Sequence, residues 1–295
     1  MSTRNSYNGT RFPFAAILGR LTDHMQGRSI SALDAYLWFQ RERQKARLTP
    51  CPDYASTSIT SGGHAHRPGL NMMQVIAANT RTARDLVLLM DKQGTLDPQS
   101  VVLPVDLGHI PGWRQSDYML FWLLVIGGFD VWVRPGNSRI RQFEQCLERA
   151  FARCEVGVGT MNSFELSADE RAPHYFRFAD ACIQAAVESG ADKRATAARK
   201  IVSLVDPHIS LGGQTERYFA RSINIPVYLP RAVQPAEGLE QALSIRRLAR
   251  DVETIINFGG TVCEIADHSA LVCLRDDLPR THGSGLHGGL HRVVL

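Results

Sequence analysis

The chain has 295 residues, of which 44% are hydrophobic and 21% are charged. Both proportions are close to the averages of globular proteins, so most of the chain is expected to fold around a sizeable core. The formal net charge of +4 is mild. It permits a basic patch but requires neither nucleic acid nor an anionic membrane as a partner.

The cysteine pattern and the hydropathy of the chain bear on its location. The six cysteines are scattered and no two have CxxC spacing, which is typical of reduced thiols rather than of a disulfide framework. Residues 1–11 are polar, so no secretory signal is predicted. The longest apolar run, residues 118–126, is too short to span a bilayer. We therefore expect a cytoplasmic protein with no membrane partner, while export through a signal that is not hydrophobic stays open.

The N-terminal part is predicted to be an arm followed by two helices. Residues 1–14 have little periodicity, and residues 15–26 are compatible with a short helix. Ser29 or Ser31 can cap a second helix over residues 32–48, because a serine hydroxyl accepts from the free N–H groups of a first turn.

Residues 49–70 are rich in Pro, Gly, Ser and Thr and are predicted to form a long loop or linker. We place the domain boundary at its end. Residues 1–70 would then be an N-terminal arm with helices and a linker loop, and residues 71–295 would be an α/β core domain.

Beyond residue 70, segments with helical periodicity alternate with short β-rich segments. Helices are predicted over residues 72–91, 115–126, 139–153, 172–188, 192–205 and 237–257. Strands are predicted over residues 101–107, 131–133, 156–158 and 223–229, with a C-terminal hairpin formed by residues 262–265 and 270–274. This alternation predicts an α/β fold: a mixed, partly parallel sheet flanked by helices, with a helical N-terminal segment and a C-terminal β-hairpin.

Asp106 and His109 form the first candidate site, in a loop at the end of a predicted strand. Ligands of open α/β sheets bind beyond the carboxyl ends of the strands. An imidazole titrates near neutral pH and a carboxylate can orient it, so the two residues are candidates for acid–base catalysis. The alternative is that Asp106 caps a turn and His109 is a surface residue.

The turn from residue 134 to residue 139 is the second candidate. Its helix start would present free N–H groups and a positive dipole end to a phosphate. The candidate ligand-binding residues are Arg134, Asn137, Ser138 and Arg139, and the alternative is an ordinary capped turn. The sequence has neither GxGxxG nor GxxxxGK[ST], so the usual dinucleotide and P-loop fingerprints are absent.

A third candidate set consists of Ser56, Thr57 and Ser58 together with Gln214 and Glu216. The Ser-Thr-Ser segment resembles the strand motif of arginine-type mono-ADP-ribosyltransferases, and Gln214-Thr-Glu216 resembles their later Gln-x-Glu element. The resemblance implies a catalytic Glu216 and an upstream arginine, for which Arg11 is the plausible position. The two segments lie farther apart in this chain than in that family. The alternative for the serines is a polar loop.

Two basic helices, residues 41–47 and 244–250, are candidates for contacts with nucleic acid. Residues 35–45 resemble the first helix of a high-mobility-group box, which carries aromatic residues before a basic turn, but the later helices of that family do not appear. In this interpretation Arg41, Arg43 and Lys45 would contact phosphates. The alternative is an amphipathic helix with a solvated charged end.

Three functions therefore stay open at this point. The favoured one is an intracellular enzyme, of transferase or hydrolase type, that binds a nucleotide or another phosphorylated ligand at strand-end loops. The alternatives are a nucleic-acid-binding module and a structural protein that forms homo-oligomeric contacts. No cofactor is indicated. The histidines at positions 64 and 66 and in the glycine-rich tail do not amount to a predicted metal site.

Overall fold

The computed structural model describes residues 11–57, 59, 69, 71–92, 94–131, 139–192, 196–204, 210–232 and 271–275. For Arg139 and for residues 229–232 and 271–275 it describes the backbone alone. Eight helices lie within these ranges: α1 Pro13–Met25, α2 Ala32–Lys45, α3 Met72–Lys92, α4 Gln115–Gly127, α5 Arg139–Arg153, α6 Val158–Asn162, α7 Ala168–Glu188 and α8 Leu211–Ser222. Five strands accompany them: β1 Asp53–Ser56, β2 Val101–Val102, β3 Lys200–Ser203, β4 Val227–Ala232 and β5 Leu271–Arg275.

The five strands form one sheet in the order β2-β1-β3-β4-β5. The first four are parallel, and β5 pairs antiparallel with β4 at the edge. The predicted fold class, a mixed and partly parallel sheet flanked by helices, is confirmed. Its antiparallel edge lies where the second arm of the hairpin was predicted, and residues 262–265 lie outside the described residues.

The alternation of side chains along the strands gives the sheet two buried faces. One face lies on a large core built with α1, α2, α4, α5, α7 and α8, and the other on a smaller core built with α3. The residues that the strands contribute to the larger core are Tyr54, Val102, Ile201 and Val227. Those that they contribute to the smaller core are Ala55, Val101 and Val202. Near-continuous burial of this kind is expected of parallel strands covered on both faces.

The N-terminal helices pack into the larger core. Ser31, rather than Ser29, caps α2, where its hydroxyl accepts from the Asp34 N–H at 3.1 Å. Helix α2 packs on α4, and the Tyr36 hydroxyl donates to the Phe129 carbonyl at 3.0 Å. Phe14, predicted to belong to the polar arm, is fully buried in α1. The division of the chain at residue 70 into two units stays a prediction.

Several predicted elements were wrong. Residues 53–56, predicted as loop, form the interior strand β1, because pairing on both sides outweighs the turn-rich composition around them. Within residues 192–205, predicted as a helix, residues 200–203 form β3. Residues 156–158 are not a strand, since α6 begins at Val158. The strand predicted over 101–107 ends at Val102 and is followed by a short 3-10 turn.

Helix α4 ends at Gly127, within one residue of the predicted end. Gly128 adopts a left-handed conformation with φ of 57° and its N–H donates to the Leu124 carbonyl at 2.9 Å. The chain before β3 passes directly over it: a Cβ at Gly128 would lie 2.1 Å from the Ala197 nitrogen. Glycine is therefore required here for two independent reasons, the backbone angle and the close approach of a second segment.

A buried ion pair lies at the N-terminal end of β1. Asp53 is fully buried and accepts from Arg199 Nε at 2.8 Å and Arg199 Nη2 at 2.7 Å, with Lys200 Nζ at 3.6 Å. Arg199 directly precedes β3, so this fork-to-fork pair fixes the register of the two central strands.

We expect Arg199→Met to lower the free energy of unfolding by about 2 kcal/mol, because it leaves the Asp53 carboxylate buried without its main partner. Arg153→Met is the matched control. It breaks a pair with Glu188 in which both side chains are at least one-third exposed, so we expect a loss under about 1 kcal/mol. Urea denaturation of both variants measures the difference. Equal losses would contradict the structural role given to the Asp53 pair.

Candidate functional site

The order of the strands changes direction between β1 and β3. The connection from β1 to β2 runs through α3, which packs on one face of the sheet, and the connection from β3 to β4 runs through α8, which packs on the other. In doubly wound sheets the crevice at such a reversal, beyond the carboxyl ends of the strands, is where ligands bind. Ser56 ends β1 and Ser203 ends β3, and the two residues pair in register at this edge.

Tyr54 and Ser56 point to the same face of the sheet because they are two positions apart. That face is the one on which α8 packs, whereas Ala55 between them faces α3. Tyr54 is fully buried and Ser56 is 2% exposed. Their hydroxyl groups therefore meet α8 in an enclosed environment.

The first turn of α8 is built for a close approach to β1. Ser210 caps the helix and accepts from the Gly213 N–H at 3.4 Å. A Cβ at Gly213 would lie 3.3 Å from Ser56 Oγ, and one at Gly212 would lie 3.3 Å from Met119 Cε on α4. Gly213 therefore lets the helix N-terminus lie directly beside the end of β1, and Gly212 lets it pack closely on α4.

Glu216 lies one turn further along α8 and bridges to both hydroxyl groups. Tyr54 Oη donates to Glu216 Oε1 at 2.7 Å, and Ser56 Oγ donates to Glu216 Oε2 at 2.5 Å. The residue is 5% exposed. The distance from Ser56 Oγ to Glu216 Oε2 is at the short end of the range for a hydroxyl that donates to a carboxylate. This contact is therefore a strong, charge-assisted hydrogen bond.

Burial governs the electrostatics of this group. It raises the pKa of Glu216 to about 7, against the lowering effects of the Ser56 and Tyr54 hydrogen bonds and of the charge on Arg217. Burial also raises the pKa of Tyr54 well above its ordinary value, with the nearby carboxylate adding to the effect. Glu216 can therefore exchange a proton near neutral pH, which is a property of acid–base catalysts.

The structure brings together two of the residues predicted from the Ser-Thr-Ser and Gln-x-Glu segments. Ser56 and Glu216 are 160 positions apart in the chain and are in direct hydrogen-bond contact. Thr57 follows Ser56 and is 9% exposed, and Gln214 lies in the first turn of α8. Ser58 lies outside the described residues. Arg11 is exposed, and its carbonyl accepts from Gln99, just before β2.

Asp106 and His109 lie at the same edge of the sheet but have different partners. The Asp106 carboxylate accepts from Arg84 Nε at 3.0 Å and Arg84 Nη2 at 2.6 Å, and burial raises the pKa of this carboxyl against the effect of Arg84. His109 is exposed, and its carbonyl accepts from Gln26 Nε2 at 3.5 Å. Their joint role in acid–base chemistry stays a prediction.

The second candidate turn lies almost entirely outside the described residues. Arg134, Asn137 and Ser138 lie outside the described residues, and of Arg139 only the backbone is described, as the first residue of α5. Helix α5 itself, Arg139–Arg153, has the predicted bounds.

The basic end of α2 is largely engaged within the protein. Arg43 is 2% exposed and donates to the Pro50 carbonyl at 2.9 Å, and its burial lowers the pKa of the guanidinium. Lys45 pairs with Glu42 at 2.7 Å, and Arg41 is exposed. Of the cations predicted to contact nucleic acid on this helix, Arg43 and Lys45 therefore each have a partner within the protein. Residues 244–250 lie outside the described residues.

Sequence reasoning missed the elements that complete the site. Tyr54 stands next to the Ser-Thr-Ser segment, but its contact with Glu216 depends on the packing of α8 on the sheet. Helix α8 was not predicted at all, although Ser210 before two glycines is a recognisable cap signal. Within the described residues, no group of three or more His, Cys, Asp and Glu side chains is arranged to hold a metal ion.

Comparison with known proteins does not identify the chain: no family model, no curated protein and no solved structure matches it. Among the described helices, none combines the length and the apolar character needed to cross a bilayer.

Proposed function

We propose that the protein is an enzyme of transferase or hydrolase type that binds a phosphorylated small molecule, such as a nucleotide, between the ends of β1 and β3. Glu216 is its acid–base group. The observation that carries the proposal is the buried Glu216 carboxyl, held by Tyr54 and Ser56 at the reversal of strand order.

The N-terminus of α8 supports the phosphate part of the proposal. A helix N-terminus combines free N–H donors with a positive dipole end, and both favour an anion. Gly213 in this turn lies beside Ser56, because a Cβ added there would stand 3.3 Å from Ser56 Oγ. The phosphate group would therefore be held within reach of the group that moves protons.

A thermal-shift screen against nucleotides, sugar phosphates and inorganic phosphate tests the proposal. A ligand present at about 100 times its dissociation constant stabilises the folded state by roughly 2.7 kcal/mol, because only the folded state binds it. We expect a shift with at least one phosphorylated compound. A salt-sensitive shift with duplex DNA alone would favour the nucleic-acid alternative and contradict the proposal.

A matched pair of variants locates the binding. Gly212→Asp places a carboxylate in the first turn of α8, which the helix dipole tolerates but which repels a phosphate at the same position. We expect it to weaken the ligand found in the screen by at least about tenfold. Gly159→Asp in α6, where a Cβ meets nothing within 4 Å, is the control and should bind normally. Unchanged binding by Gly212→Asp would place the ligand elsewhere.

A further inference from the structure

We propose that Ser56 is the nucleophile of this enzyme and that Glu216 is the base that activates it, so that the reaction passes through a phosphoserine at position 56. This inference rests on the proposed function, because it takes the substrate to be a phosphate ester or anhydride held at α8. It adds a covalent step that the binding of such a ligand does not by itself require.

The geometry of the pair is that of a nucleophile already bonded to its base. Ser56 Oγ is 2.5 Å from Glu216 Oε2, and the hydroxyl is the donor. Activated serine and threonine nucleophiles share this feature, with a third group orienting the base. Tyr54 is that third group, since it donates to the other carboxylate oxygen at 2.7 Å. It acts as a positioning residue.

The first turn of α8 lies beside the group formed by Ser56, Glu216 and Tyr54. The Gly213 Cα lies so close to Ser56 Oγ that an added Cβ would stand only 3.3 Å from it. A phosphoryl group attacked by Ser56 would then lie at the N-terminus of α8. Backbone N–H donors at such a position stabilise the negative charge on the phosphoryl oxygens. Ser56 is 2% exposed, so the reacting atoms lie in an enclosed site in which electrostatic interactions are strong.

The chemical steps balance with water or an acceptor alcohol as the second substrate. The Ser56 O–H proton passes to Glu216 Oε2 as Oγ bonds to phosphorus, and the bond from phosphorus to the leaving oxygen breaks. The leaving oxygen lies opposite Ser56 Oγ in this in-line displacement and takes its proton from solvent water, while Glu216 keeps the serine proton. In the second half, water or an acceptor alcohol attacks phosphorus from the side that the leaving group has vacated and releases a proton to solvent. The Oγ–P bond breaks, and Oγ recovers its proton from Glu216.

Diisopropyl fluorophosphate tests the inference, because it is small and is attacked at phosphorus with loss of fluoride. We expect a stoichiometric adduct on the peptide that contains Ser56, identified by mass spectrometry, and no adduct at this position in urea-unfolded protein. The labelling rate should rise with pH around a midpoint of about 7, as Glu216 ionises. The other ionisable groups that act on Glu216 are Tyr54 and Arg217.

Two variants separate catalysis from structure. Glu216→Gln keeps the shape of the side chain but removes the base, so labelling should slow by at least about 100-fold. Tyr54→Phe removes a hydrogen bond that lowers the Glu216 pKa, so the midpoint of the rate profile should move to higher pH. Both variants are checked for folding by circular dichroism.

An absence of Ser56 labelling in the folded wild-type protein would overturn the inference, as would a rate that does not depend on pH. Equal labelling of wild type and a folded Glu216→Gln variant would also overturn it. Such failures are distinct from failure of the proposed function. The ligand screen with Gly212→Asp reports on phosphate binding alone and involves no covalent step.

Discussion

The Glu216→Gln variant should gain stability relative to the wild type as the pH rises from about 4 to about 8. The pKa of Glu216 is 4.5 in its ordinary state and about 7 in the folded protein. Between these values the folded state holds a proton that the unfolded state has released, so the wild-type free energy of unfolding falls as pH rises. A pKa shift of this size lowers the free energy of unfolding of the wild type by about 3 kcal/mol once the pH exceeds about 7. Glutamine is neutral at every pH, so the variant does not undergo this loss of stability.

Urea denaturation of the two proteins across this pH range measures the effect as a difference, which cancels the contributions of all other groups. Glu170 provides a control of opposite sign. Its pKa is lowered by the hydrogen bonds that Ser167 donates, so the wild type gains stability from this group as the pH rises toward about 5, and Glu170→Gln should lack that gain. A stability difference between wild type and Glu216→Gln that stays constant from pH 4 to pH 8 would show that Glu216 ionises normally.

Gly128→Ala should destabilise the protein by at least about 4 kcal/mol, a cost reached only by a few mechanisms. The residue has φ of 57°, and an added Cβ would lie 2.1 Å from both the Ala197 nitrogen and the Thr196 carbonyl carbon. These are backbone atoms that cannot rotate away. The segment they belong to leads into β3 and is held by the Ala198 N–H, which donates to the Ile126 carbonyl at 2.9 Å.

Gly190→Ala is the matched control, because Gly190 follows the end of α7 with φ of 69° but a Cβ there would meet nothing within 4 Å. It should cost only the strain of the left-handed angle, about 1 kcal/mol. Thermal and urea unfolding of the two variants give the comparison. If Gly128→Ala loses no more stability than Gly190→Ala, residues 196–197 do not approach α4 as described.

The predicted parts of the fold are those in which local pattern and final packing agree. Helix α5 has its predicted bounds, and α3 and α4 differ from their predictions by no more than one residue at either end. Residues 192–205 show the opposite case. Alanine, lysine and arginine favour a helix there, but residues 200–203 lie between β1 and β4 and are held by pairing with both. The strand conformation of β3 is determined by contacts between distant segments, which a local sequence pattern does not contain.

The candidate site was predictable only in fragments. Short motifs pointed to Ser56 and Glu216. Whether the two residues meet depends on the packing of α8 on the sheet, which the motifs do not contain. The helix was missed because Gly212 and Gly213 disfavour helix formation. The same two glycines allow α8 to pack closely, Gly213 on Ser56 at the end of β1 and Gly212 on Met119 of α4.

The proposed function depends on a phosphate that binds at the N-terminus of α8 beside Ser56 and Glu216. The most direct test is to follow the backbone amide resonances of Gly212 and Gly213 by NMR during a titration with inorganic phosphate and then with nucleotides. We expect saturable shifts of these two amides, while Gly159 and Gly190 stay unchanged. Saturable shifts confined to other residues, or none with any phosphorylated compound, would contradict the claim.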